Sequence, residues 1–125
     1  MTIVTKKAPG SVADVVVRLV DLLQSKKVTV FAVIDQAAAA REVGLELRET
    51  VLVIFGDPVA GTPVMAAAPM TALDLPLKVL IWDDLGQTVM TYREPVRLAE
   101  EQGAPAEAAA RLGAVGVLTD AVAAG

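Results

Sequence analysis

Asp35, Gly56, Asp57, Gly61, Thr62 and Asp74 are the residues of this chain whose types and spacing could do chemistry. After an apolar run, Gly56-Asp57-Pro58-Val59-Ala60-Gly61-Thr62 has the glycine spacing of a phosphate-binding loop, but the lysine that should precede Thr62 is missing and Pro63 follows at once. A nucleoside triphosphate site is therefore excluded. Two readings remain: Thr62 as an N-cap with Pro63 as the first helical residue and the glycines allowing a tight backbone, or an anion held on exposed amides of the loop. Asp35, Asp57 and Asp83-Asp84 each end an apolar run, so parallel strands would gather carboxylates able to chelate a divalent cation. Antiparallel strands would scatter them into caps and turns, and no metal is expected. Asp74, in Leu73-Asp74-Leu75-Pro76, either caps amides of the turn that Pro76 sets or, half-buried, serves as an acid-base carboxylate.

The chain contains no cysteine and no histidine, which removes disulfides, thiolate nucleophiles, zinc-thiolate sites and the commonest general base together. Ser11 and Ser25 are the only serines, and no lysine stands in a motif with either. A net charge of -4, a pI near 4.7 and 3% aromatic residues oppose nucleic-acid binding, which needs clustered cations and stacking platforms. No apolar stretch is long enough to span a bilayer, and Met1 to Ala8 lacks the apolar core of a signal peptide. The expectation is a soluble cytoplasmic protein without a cofactor.

The elements that must position these residues follow from periodicity. Residues 1–125 are read as one domain, since the length and 54% apolar content suit a single core. Thr2 to Ala8 predicts a strand ended by Pro9-Gly10. Ser11 then predicts an N-cap with Asp14 completing a capping box, before a helix with Val12, Val15, Val16, Leu19, Leu22 and Leu23 on one face. Val28 to Ile34 predicts a strand apolar on both faces; Asp35 caps a short helix from Gln36 to Val43, which Gly44 closes. Val51 to Phe55 and Leu77 to Trp82 predict two more strands. Asp83-Asp84-Leu85-Gly86 turns the chain into Thr88 to Tyr92 as a hairpin. Pro95 starts a helix to Gln102, and a last helix runs from Pro105 with Ala108, Leu112, Val115, Leu118 and Val122 on one face. Gly113 and Gly116 weaken that helix, which close approach to the sheet would explain.

Val30-Phe31-Ala32-Val33-Ile34-Asp35, the alanine-rich piece to Gly44-Leu45-Glu46-Leu47-Arg48, Phe55-Gly56-Asp57-Pro58, Gly61-Thr62-Pro63 and Ala72-Leu73-Asp74-Leu75-Pro76-Leu77 occur in an order that resembles the DUF302 family of small prokaryotic proteins of undefined function. The resemblance covers the first helix to about Gly103. It implies an α+β domain of β-α-β(4)-α topology with a curved, TBP-like antiparallel sheet, helices mainly on one face, and a dimer. The chain departs from the pattern at Gln36 and Gln102, where relatives often carry histidine, and at Asp57, where asparagine is frequent. Ligation through those histidines is not expected here. The resemblance supplies no catalytic residue.

Two long helices cover one face of such a sheet, so the other apolar face needs a second copy of the chain or a cover made by the inserts around Thr62 to Asp74 and Pro95 to Gly103. The expected function is a homodimeric binding module with a small-molecule or peptide pocket near the Gly56 to Asp74 insert. The alternative is an enzyme using Asp35, Asp57 or Asp74 in acid-base chemistry.

Overall fold

The computed structural model describes residues 2–125. Among these, strands β1 (Ile3–Lys7), β2 (Thr29–Asp35), β3 (Thr50–Gly56), β4 (Leu77–Asp84) and β5 (Gln87–Arg93) form an open antiparallel sheet in the order β1-β5-β4-β3-β2. The helices are α1 (Val12–Ser25), α2 (Gln36–Glu42), α3 (Pro58–Ala67), α4 (Pro95–Glu101), α5 (Ala106–Ala109) and α6 (Ala114–Ala123). With α2 to α5 counted as inserts, this is the expected α+β order, and α1 and α6 pack on the same side of the sheet.

Strand β3 shows why the sheet has two different faces. Val51, Val53 and Phe55 are buried while Leu52 and Ile54 between them are only half-buried, because successive side chains of a strand point to opposite sides. The buried set joins Val79, Ile81, Met90 and Tyr92 of the neighbouring strands against Val15, Leu19 and Leu23 of α1 and Val115, Leu118 and Val122 of α6. Helix α1 starts where expected. Ser11 Oγ accepts from the Asp14 amide at 3.0 Å and Asp14 Oδ2 from the Ser11 amide at 3.1 Å, closing the capping box.

On the opposite face the pairing Leu52↔Leu80, Thr50↔Trp82 and Leu80↔Thr91 sets Leu52, Ile54, Leu80 and Trp82 side by side. Trp82 Nε1 donates to Thr91 Oγ1 at 3.0 Å. The inserts do not roof this face. They pack on one another through Val64, Ala68, Ala99, Ala104, Ala109 and Leu112, and border the open face only at one end, where Leu73, Pro95 and Leu98 flank a groove floored by Leu52 and Leu80.

One expected helix differs. The single helix from Pro105 is split into α5, a 3₁₀ turn at Ala110–Gly113 and α6. Glycine is not required by close packing there: a Cβ at Gly113 would lie 3.8 Å from Val96 Cγ2 and one at Gly116 3.7 Å from Tyr92 Oη, both ordinary contacts.

Lys6 ties the two termini of the fold together. From the helix side of β1 its ammonium donates to the Gly116 carbonyl at 2.9 Å and Thr119 Oγ1 at 2.8 Å, pairs with Asp120 Oδ1 at 2.8 Å, and lies 5.4 Å from the Tyr92 ring centre. Burial alone would lower the Lys6 pKa, but the hydrogen bond to Asp120 and the interactions with Tyr92 outweigh it, so the net shift is upward.

Candidate functional site

A cleft of about 310 Å³ opens where the main core meets the insert cluster. That is at the lower end of the range for small-molecule pockets. Its floor is Phe55 and Leu118, one wall is Val28 and Phe31, and the other is α3 with Gly61, Thr62 and Met65; Leu75, Pro76 and Leu112 close the end. Asp57 and Arg111 are the ionisable side chains in the lining.

Helix α3 begins five residues before the Thr62-Pro63 start that its sequence suggests. Its N-cap is Asp57, whose Oδ1 accepts from the Val59 amide at 3.0 Å, and Pro58 occupies the first helical position, where a missing N–H costs nothing. Thr62 and Pro63 lie inside the helix, so Thr62 is not a cap. Gly56 and Gly61 are not among the residues with positive φ, and so they relieve no tight turn. Gly56 instead admits a neighbour: a Cβ there would sit 3.2 Å from Phe31 Cε2, closer than packed side chains tolerate without a shift. Gly61 leaves open space, a Cβ meeting only Met65 Cε at 3.8 Å.

The loop amides are also spoken for. Val59 N–H goes to the Asp57 carboxylate and the Ala60 and Gly61 amides to the Asp57 carbonyl at 3.0 and 2.8 Å, while Pro58 and Pro63 have none. These three amides are therefore not free for the anion that the glycine spacing allows.

Four of the six candidate residues, Gly56, Asp57, Gly61 and Thr62, line the cleft. The remaining two are elsewhere. Asp35 pairs with Val51 at the far end of β3 from Gly56, a distance of roughly 16 Å along the strand, and its Oδ1 caps α2 by accepting from the Ala38 amide. Asp74 lies by the groove on the open face; its Oδ2 accepts from Gln102 Nε2 at 2.7 Å, so it braces α4 rather than capping the turn at Pro76. The three carboxylates do not converge, and among the described residues no cluster of Asp and Glu has the arrangement to hold a metal ion. Phe31, Leu112, Leu118 and Arg111 also line the cleft. They reach the cleft from strand and helix positions whose spacing reads as ordinary core or surface.

A five-stranded antiparallel sheet with two helices on one side and a cleft at the edge of the inserts defines a class by architecture and not by chemistry. Residues 4–117 match the family described as Domain of unknown function DUF302, and the chain belongs to it. A crystal structure of an uncharacterized conserved DUF302 protein from Bacillus stearothermophilus superimposes with a TM-score of 0.81 at 16% identity, covering 99% of this chain and 97% of that one, which shows the shared fold. In sequence the chain is 37% identical over 99 residues to Fluoride-specific ion channel FluC 1 of Brucella suis biovar 1 (strain 1330) and to Fluoride-specific ion channel FluC 1 of Brucella abortus biovar 1 (strain 9-941). The match takes in 78% of this chain but 39% and 37% of those proteins, so most of their length lies outside it. Among the described residues no helix is long and apolar enough to cross a membrane.

Proposed function

We propose that this DUF302 domain is a cytoplasmic binding module that takes a small ligand in the cleft between Phe55 and α3 and pairs with a second copy through the open sheet face. The observation that carries the reading is the cleft itself: an apolar recess bounded by core residues, with few polar groups in its lining, which is the usual composition of a small-molecule site. The partial match to the Brucella channel proteins supports an accessory role, since it takes in 78% of this chain but the minor share of each of theirs.

Gly61→Leu tests the cleft without threatening the fold. Leucine is a better helix former than glycine by up to about 1 kcal/mol, so the variant should unfold no earlier than wild type while its side chain fills the recess. In a thermal-shift screen of small apolar compounds, hits that stabilise wild type should lose their effect on Gly61→Leu. Equal responses from both proteins would remove the cleft as the site.

The pairing is tested separately by sedimentation. Leu52, Ile54, Leu80 and Trp82, each half-buried, form a contiguous apolar patch without a helix over it, and such patches on soluble domains mark interfaces. Wild type at micromolar concentration should sediment as a dimer and Leu80→Lys as a 13.0 kDa monomer. A monomeric wild type sinks the claim.

A further inference from the structure

The cleft is apolar to its floor, yet one cation stands at its rim with nothing to bind. Arg111, on the 3₁₀ turn between α5 and α6, lines the cleft beside buried Leu112, and its guanidinium makes no hydrogen bond or ion pair with any described residue. Thr62, across the cleft on α3, likewise has a hydroxyl with no partner among them. Asp57 is the one carboxylate in the lining, and its Oδ1 is turned to the Val59 amide. Because the α3 amides are consumed internally, a charged group entering the mouth meets Arg111 as its sole cationic donor. A neutral ligand would leave that fork unused. A cationic ligand would meet Arg111 head-on, with only the partly committed Asp57 in its favour.

Resting on the cleft as the binding site, we propose that its ligand is an amphiphilic organic anion: an apolar body lying on Phe55 and Leu118, and a single carboxylate at the rim held by Arg111 with the Thr62 hydroxyl beside it. A guanidinium matches a carboxylate with two parallel N–H donors, a geometry that neither lysine nor a hydroxyl offers. Placement at the rim keeps the pair partly hydrated, so the carboxylate is recognised without the full cost of burying a charge.

Octanoate and 1-octanol, which share a chain and differ in the charge of the head, separate the two parts of the proposal in amide-shift titrations by NMR. Wild type should bind octanoate about tenfold more tightly than octanol, the size of one charge-assisted contact. Arg111→Met, an exposed position, should erase that preference while octanol binding stays. Asp57→Asn, which keeps an N-cap side chain, should strengthen octanoate a few-fold by removing the nearby negative charge and leave octanol alone. Equal affinities for the two probes in wild type, or a preference that survives Arg111→Met, overturns the anion assignment while leaving the cleft as a pocket for neutral ligands. Failure of both probes to shift cleft residues overturns the pocket as well.

Discussion

Phe55→Ala is expected to lower the unfolding free energy by about 3–5 kcal/mol, a large part of the whole stability of a domain this size. Phe55 is 1% exposed and the bulkiest of the fully buried side chains, sits on the core side of β3 between the Val30 and Leu77 pairings, and also floors the cleft. Truncation both removes apolar burial and joins the new void to the recess beside it. Partial flooding of that void from the cleft mouth does not recover the lost contacts. The midpoint of thermal unfolding, followed by circular dichroism, should fall on the order of 10–20 °C. Phe31→Ala is the control at the same cleft: that ring is 54% exposed, and its loss should cost about 1 kcal/mol or less. Equal losses from the two substitutions would show that the floor of the cleft is not continuous with the core.

Lys6→Met is expected to cost about 2 kcal/mol and to change how stability depends on pH. Methionine keeps the apolar stem but removes the donors that reach the Gly116 carbonyl and Thr119 Oγ1. Thr119 still donates to the Val115 carbonyl at 2.7 Å, which limits the damage. Asp120 is 73% exposed, so its share of the cost is small, and Asp120→Asn should change stability by less than about 1 kcal/mol. The pKa of Lys6 is raised in the folded state above its ordinary value of 10.5, so the folded protein holds that proton more tightly than the unfolded chain. The contribution is therefore complete below the ordinary value and is lost as pH climbs through the raised one. Urea titrations across the alkaline range should show wild type losing stability more steeply than Lys6→Met; parallel curves would mean that the ammonium does not hold α6 to β1.

Much of the architecture is legible in short-range chemistry. Ser11 and Asp14 announce α1, Gly44 at φ 78° closes the segment after α2, and Leu85 and Gly86 at φ 51° and 92° make the two-residue turn that joins β4 to β5. Each of these is decided by residues a few positions apart. Helix α3 is not. Gly61 and Pro63 both speak against a helix locally, and Thr62-Pro63 imitates the start of one. The helix nonetheless runs through them because Val64 and Ala68 pack on Ala99, Ala104 and Leu112, some thirty or more residues away. The candidate site divides in the same way. Gly56, Asp57, Gly61 and Thr62 were visible as a polar break between apolar runs, whereas Phe31, Leu118 and Arg111 belong to the cleft only through tertiary contacts. Asp74 and Gln102 were each visible, but their pairing across the insert was not. Gln102 Oε1 is buried without a partner among the described residues, so glutamine satisfies that position only halfway.

Strand β2 is a sheet edge, and its ladder with β3 is interrupted between Val30 and Ala32, the bulge at Phe31. An exposed edge strand invites another molecule to extend the sheet, and open-ended extension of that kind is how soluble proteins turn into fibres. A bulge breaks the even row of donors and acceptors that such growth requires and twists the strand out of register with any newcomer. The irregularity that brings Phe31 to the mouth of the cleft thus also guards the molecule's longer open edge against polymerisation. Straightening β2 to tidy the sheet would be expected to cost solubility as well as the cleft wall.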